Sequence, residues 1–189
     1  MRIAYVLPHS LLIGEGVTGD VIQQKSVIEH LEKNGHWVDV LCYEGLASIL
    51  RISRVESTLL QSENTLSKVI LFIGKLVWFF QRITGIPYLN FFNNIQRCNT
   101  VLSVLDEYDV VYERFSLYRT GIALACRLKR KRYILFFDAD PLFELDFCGN
   151  PIKGILRWRA EQMMKFCFRV AKKIICVSSV VSHQVQKVY

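Results

Sequence analysis

No two cysteines of this sequence stand at the spacing of a zinc site or a redox pair. All six (Cys42, Cys98, Cys126, Cys148, Cys167, Cys176) occur singly. Without a CxxC pair or a Cys/His cluster, structural zinc and thioredoxin-like chemistry have no support. Most lie within apolar runs, where cysteine packs as a small hydrophobe, so reduced thiols in a core are expected. Internal repeats and low-complexity tracts are also missing, which removes solenoids and disordered arrays. No uninterrupted apolar run approaches the roughly 20 residues that cross a bilayer. The opening MRIAYVLPHS offers five consecutive apolar residues after Arg2, too few for a signal-peptide core. A cytoplasmic location is the resulting default.

What is present reads as globular. Half of the 189 residues are apolar and about a fifth are charged, enough for one full core and short for two. The net charge of +7 attracts anions, whether phosphorylated ligands, acidic lipid surfaces or nucleic acid.

Apolar runs and helical periodicity alternate along the chain. Ile3–Leu7 reads as a buried strand ending at Pro8, and Val21–Lys33 as a helix stopped by Gly35. Trp37–Tyr43 is a second strand, and 44–62 reads as connection with some local helix. Helices are expected over Leu66–Arg82 and roughly 91–106, then a strand at Asp109–Tyr112 and a helix at Leu117–Leu128. Tyr133–Phe137 is a fourth strand. A loop containing Pro141 and Pro151 leads to a long helix ending near Lys172. Ile174–Val177 is a strand, and a final helix starts at Ser178–Ser179. The alternation predicts an α/β fold, a Rossmann-like doubly wound parallel sheet with helices on both faces.

Residues 14–19, GEGVTG, match the dinucleotide-binding pattern G-x-G-x-x-G. Glycines beyond a strand let backbone N–H groups approach a phosphate, and the next helix N-terminus favours its charge. In dinucleotide folds the first glycine directly follows the strand. Here PHSLLI separates Leu7 from Gly14, more than a tight turn absorbs. Glu44, ending the second strand, is placed to hold a ribose hydroxyl, which favours an NAD(P) site. A glycine loop with no ligand is the plainer alternative.

Another family accommodates the inserted loop. From Gly19 the chain runs GDVIQQKSVIEHLEKNGHWVDVL, which resembles the opening of family-4 retaining glycosyltransferases of GT-B architecture. Its Gly35-His36-Trp37-Val38-Asp39-Val40 resembles their Gly-His-x-Val-x-Val second strand. The family's paired glycine is Thr18–Gly19 here, a departure at the phosphate-contact position. Downstream, DVVYERFSLYRTGIALACRLKRKRYILFFDADPLFE resembles the third strand, helix and fourth strand. RAEQMMKFCFRVAKKIICVSSVV resembles the glutamate-bearing helix and the strand ending in serine. These stretches follow in family order between Gly19 and Val181.

The resemblance implies one half of a GT-B fold, a single N-terminal acceptor-binding domain over 1–189. Its partner would be a C-terminal domain holding a UDP- or GDP-linked nucleotide sugar. That domain's motifs have no counterpart before Tyr189, so the resemblance implies a piece incapable of transfer alone. It makes Gly16, Thr18 and Gly19 the donor-phosphate loop and Arg114 the candidate catalytic residue. Arg114 would be a fixed charge for a sugar phosphate or departing diphosphate, forked for bidentate contact. It is no general base, because guanidinium keeps its proton. A strand-end ion pair with Glu113 or Asp138 is the alternative. Asp138, Asp140 and Glu144, clustered after the fourth strand, are candidate acceptor-hydroxyl contacts, with capping of the next turn as the alternative for the aspartates. Glu161 matches the family's helix glutamate and reads as structural. No metal is expected.

LSKVILFIGKLVWFFQRI places Lys68, Lys75 and Arg82 on one helical face of an otherwise apolar helix that includes Trp78. Three readings fit it: a buried helix with a thin solvated stripe, a partner surface, or an interfacial helix with its cations at anionic headgroups. The run RLKRKR sits at an expected helix end, where cations complement the dipole. No aromatic-interleaved basic platform accompanies it, so nucleic acid is not an expected partner. The leading expectation is a transferase domain acting on a glycan or lipid-linked acceptor, cytoplasmic and peripheral on a membrane. An NAD(P)-dependent enzyme and a non-catalytic interaction module are the alternatives.

Overall fold

The computed structural model describes residues 1–8, 19–44, 48–54, 56–61, 65–84 and 92–188. Its strands are β1 Arg2–Leu7, β2 Trp37–Glu44, β3 Ser48–Ile52, β4 Ser57–Leu60, β5 Val110–Arg114, β6 Arg132–Phe137 and β7 Lys173–Cys176. Its helices are α1 Gly19–Lys33, α2 Thr65–Thr84, α3 Phe92–Leu102, α4 Gly121–Lys129, α5 Pro141–Phe147, α6 Gly154–Val170 and α7 Ser179–Val188. The strands among the described residues form one sheet in the order β4-β3-β2-β1-β5-β6-β7. β2, β1, β5, β6 and β7 run parallel.

The apolar run of β1 is buried on both sides, as a central parallel strand requires. Ile3, Tyr5 and Leu7 pack beneath Val27, Ile28 and Leu31 of α1. Ala4 and Val6 join the larger core under α3, α4 and α6, with Cys98, Ile122, Ala125, Ala160 and Met164. Helices therefore cover both faces, and the α/β expectation holds. The chain leaves β1 towards β2 and later returns to β1's other side as β5. The point of reversal lies between β1 and β5, where the first connections depart in opposite directions and open a crevice beyond the strand ends.

Local signals explain most boundaries. Gly35, at φ +79°, ends α1 in a Schellman turn, with His36 N–H donating to Leu31 O and Gly35 N–H to Glu32 O. The same pattern ends α4, where Lys131 N–H donates to Cys126 O and Arg130 takes the left-handed conformation. The basic run thus sits at a helix C-terminus, as the dipole argument expects. Gly121, at the start of α4, is demanded by space. A Cβ there would lie 2.6 Å from the Asn94 carbonyl oxygen and 3.0 Å from Arg97 Cβ, so α3 and α4 approach only with hydrogen at this position.

Four expectations need correcting. Within 44–62, expected as connection with some local helix, Ser48–Ile52 and Ser57–Leu60 are strands: β3 and β4 pair antiparallel and add two strands beside β2, so the sheet is mixed. In that hairpin Ile49 is the one fully buried residue of β3, which leaves little apolar alternation to read. The helix expected over 91–106 stops at Leu102 and is followed by a 3₁₀ turn, Leu105–Glu107. The helix expected from Leu117 begins at Gly121, after an irregular loop. Pro141 does not mark a loop but opens α5. Asp140 caps that helix, its Oδ1 accepting from Leu142 N at 2.9 Å and Phe143 N at 3.4 Å, with proline at N1 where its missing N–H is harmless.

The opposite end of the sheet is tied by charge. Asp39 of β2, fully buried, accepts from Tyr108 Oη at 2.9 Å, Trp37 Nε1 at 2.9 Å, Arg51 Nη2 at 2.9 Å and Arg2 Nη2 at 3.1 Å. Arg2 and Arg51 also pair with Glu107, at 3.2 and 2.8 Å. The cluster joins β1, β2, β3 and the 3₁₀ turn.

α2 stands apart. It contacts the body mainly through α3, and Gly74 is its one buried residue among the described side chains. Phe72, Leu76, Phe79 and Ile83 share an outward arc by helical spacing, with Phe72 63% and Ile83 65% exposed. Lys68, Lys75 and Arg82, all exposed, border that arc on one side; Val69 and Phe80 border the other. Trp78 is exposed as well, with Arg82 Cζ 5.7 Å from its ring centroid. The buried-helix reading of this segment is overturned. No helix among the described residues is long and apolar enough to cross a membrane.

Candidate functional site

A cleft of about 750 Å³ opens beyond the carboxyl ends of β1, β5 and β6, at the reversal point of the sheet. Pro8 lines it after β1, Arg114 at the end of β5 with Phe115 to Tyr118 after it, and Asp138 with Glu144 after β6; Asp20 comes from the first turn of α1. The parallel sheet itself produces this convergence, since every parallel strand delivers its exit loop to the same edge.

Arg114 is the centre of the cleft's polar floor. Its side chain is only 10% exposed. Nε donates to Asp138 Oδ2 at 3.0 Å and Nη2 to the same oxygen at 2.5 Å, while Nη2 also reaches Asp20 Oδ1 at 3.0 Å. Nη1 is buried and has no hydrogen-bond partner among the described residues. Burial alone would lower the Arg114 pKa, but the bonds and charges of Asp138 and Asp20 more than offset it, and the net shift is upward. The guanidinium is thus a permanent cation, paired on two of its three nitrogens. The ion-pair alternative was right about Asp138; Asp20, not Glu113, is the second partner.

Glu113 points to the opposite face of the sheet, as strand alternation requires. It is buried, and its carboxylate accepts from Tyr43 Oη at 2.7 Å and Tyr133 Oη at 2.6 Å. Arg97 and Arg119 lie against the Tyr43 ring, their Cζ atoms 4.5 and 4.9 Å from its centroid. Burial pushes the Glu113 pKa up to about 7, against the lowering effect of the two tyrosine bonds and the two arginines. Burial likewise lowers both arginines. All three shifts express one cost, that of charge without water.

The loop after β5 is held from outside. Tyr118 has φ +63°, a left-handed conformation worth about 1–2 kcal/mol of strain for a side-chain-bearing residue. Asn94 of α3 fixes it: Nδ2 donates to Tyr118 O at 2.8 Å, and Oδ1 accepts from Thr120 N at 2.9 Å. Tyr118 Oη donates in turn to Leu156 O at 3.1 Å. Arg119 Nη1 donates to Pro8 O, tying the β5 loop to the end of β1. An over-determined loop of this kind makes a rigid wall.

The sequence-expected residues divide as follows. Arg114, Asp138 and Glu144 line the cleft. Asp140 is spent on the α5 cap, so the capping alternative holds for it. Gly19 is the first residue of α1, next to Asp20; among the described residues a Cβ there would meet nothing within 4 Å. Gly16 and Thr18 lie outside the described residues. Glu161 pairs with Arg157 on its own helix, at 3.4 Å, in keeping with a structural role. Glu44 ends β2 and is not among the residues lining the cleft. Among the described residues no group of three His, Cys, Asp or Glu side chains is placed to hold a metal.

Sequence reasoning missed Asp20, Asn94, Tyr118 and Phe147. Asp20 had a signal, an acid in the first turn of a helix that follows a glycine loop. Phe147 lines the cleft while 84% exposed, and stacks on Phe143 with centroids 6.5 Å apart. That pairing follows from i, i+4 spacing, once α5 is recognised as a helix. A scan against protein-family models and a search of curated proteins gave no match to this chain.

Proposed function

We propose that this chain is the acceptor-binding half of a glycosyltransferase, moving a sugar from a nucleotide sugar to a glycan or lipid-linked acceptor with retention. The observation that carries the reading is the convergence of Asp20, Arg114, Asp138 and Glu144 in one cleft at the reversal point of a mostly parallel sheet. Carboxylates facing a rigid wall accept hydrogen bonds from sugar hydroxyls, and an aromatic ring at the rim packs on the C–H face of a pyranose. In this reading Asp138 and Glu144 bind the acceptor, and Arg114 positions Asp138 and Asp20. The resemblance to retaining transferases assigns the acceptor proton to the departing phosphate, so no protein base is required. The donor would be held by a second domain facing segment 14–19.

Titration of the labelled chain with neutral oligosaccharides, followed by NMR, tests this directly. Saturable shifts are expected at Ser116, Asp138 and Glu144, with none in the β3–β4 hairpin. Saturable enhancement of reduced nicotinamide fluorescence, without any saccharide response, would transfer the cleft to the oxidoreductase reading.

The α2 surface supports a peripheral position on an anionic membrane, with the Phe72–Ile83 arc in the interface and Lys68, Lys75 and Arg82 at the headgroups. Each basic residue at such a surface contributes about 1 kcal/mol. Replacing all three by glutamine should therefore weaken partition to phosphatidylserine-containing vesicles about 100-fold, and raised salt should mimic the change. Vesicle binding insensitive to both would assign the arc to an uncharged partner.

A further inference from the structure

The charge balance of the cleft names the kind of acceptor it takes. We infer that the site selects a non-anionic saccharide, neutral or amino-bearing, and discriminates against uronates and phosphorylated sugars; this rests on the acceptor reading above. Among the described residues Asp20, Asp138 and Glu144 line the cleft against a single guanidinium, Arg114, so three carboxylates outnumber one cation there. That cation is already neutralised through two of its three nitrogens. Asp138 Oδ2 occupies its Nε and Nη2, and Asp20 Oδ1 shares Nη2. A phosphate or uronate would either displace one of these carboxylates or approach the remaining nitrogen beside both of them, and in each case would still face Glu144 across a partly desolvated space.

A hydroxyl meets no such conflict. Nη1 of Arg114, in a side chain nine-tenths buried, is a donor with no partner among the described residues. A buried donor left without a partner is costly, and a ligand oxygen that reached it would remove that cost. The surrounding carboxylates accept from the ligand's O–H or N–H groups, a role for which an alcohol or ammonium is suited and a second carboxylate is not. Phe147 offers an apolar surface beside them. The site therefore combines acceptors for O–H, one buried N–H donor and an exposed ring, the complement of a hydroxyl-rich ring without negative charge.

Matched trisaccharides ending in glucose, glucosamine, glucuronate and glucose 6-phosphate provide the test, with binding read by chemical shift at low and moderate salt. The glucose and glucosamine forms should bind at least about tenfold more tightly than the two anionic forms at low salt, a difference of about 1.4 kcal/mol. Added salt should narrow the gap. Glu144→Lys, on the exposed side of α5, should narrow it further without loss of fold, and Phe147→Ala should weaken all four forms together. Equal or tighter binding of glucuronate, or a cleft response to inorganic phosphate alone, would overturn the inference and leave the acceptor reading standing. No response to any of the four saccharides would remove both.

Discussion

Asp39→Ala should destabilise the protein by about 3–5 kcal/mol, the loss expected when one partner of a buried ionic cluster is removed. Asp39 is fully buried and receives four side-chain hydrogen bonds, from Tyr108, Trp37, Arg51 and Arg2. Alanine would leave the buried Tyr108 hydroxyl unpaired, and Arg2 and Arg51 would share Glu107 alone. Burial by itself would raise the Asp39 pKa; the four hydrogen bonds reverse that and hold it below the usual value. A carboxyl lowered on folding stabilises above its unfolded pKa, and that contribution disappears as pH falls through the lower folded value. Urea unfolding at neutral pH, with Asp39→Asn as a milder comparison, measures the effect. A loss below about 1 kcal/mol would mean that the cluster behaves as a surface ion pair and does not anchor β1 to β2 and β3.

The second large effect has the opposite pH dependence. Glu113 rises from an ordinary 4.5 to about 7 in the fold, so between those values the folded chain holds a proton that the unfolded chain has released. Stability is then fully present below pH 4.5 and declines as pH rises through 7. A shift of that size corresponds to about 3 kcal/mol. The protein should therefore melt at a higher temperature at pH 5 than at pH 8, as scanning calorimetry would record. Glu113→Gln keeps an acceptor for Tyr43 and Tyr133 but removes the titration, and should flatten this segment of the profile. A wild-type profile already flat from pH 5 to 8 would show that Arg97 and Arg119 keep the carboxylate ionised throughout. Of these two groups, Asp39 favours stability above the acid range and Glu113 disfavours it towards neutrality, so their combined contribution should be larger at pH 5 than at pH 8.

Much of the framework was legible because its cause is local. Ile3–Leu7 announces a two-sided strand, Gly35 a helix stop, and Val27, Ile28 and Leu31 a helix face. The cleft was legible in part: Arg114, Asp138 and Glu144 follow from strand ends that a parallel sheet gathers on one edge. What escaped depends on distance in sequence or on rival uses of one residue. Asn94 acts on a loop 24 residues away, through its side chain to Tyr118 O, and no local pattern encodes that reach. The Asp140-Pro141 pair fits either a turn or a helix start, and only the cap bonds to Leu142 and Phe143 decide between them. The β3–β4 hairpin buries too little for alternation to appear. The exposure of α2 reverses the ordinary rule that a strongly apolar helix turns inward, and periodicity alone cannot say which face meets water.

Asn94 has one further effect. By gripping both ends of the 118–120 turn from a helix packed into the core, it separates the course of the backbone there from the identity of the side chains just before it. Ser116 should therefore accept other side chains while the main chain beneath it keeps its path, whereas Leu117 packs against the core. Substitution at Ser116 is thus a route by which the cleft could acquire a different preference without refolding.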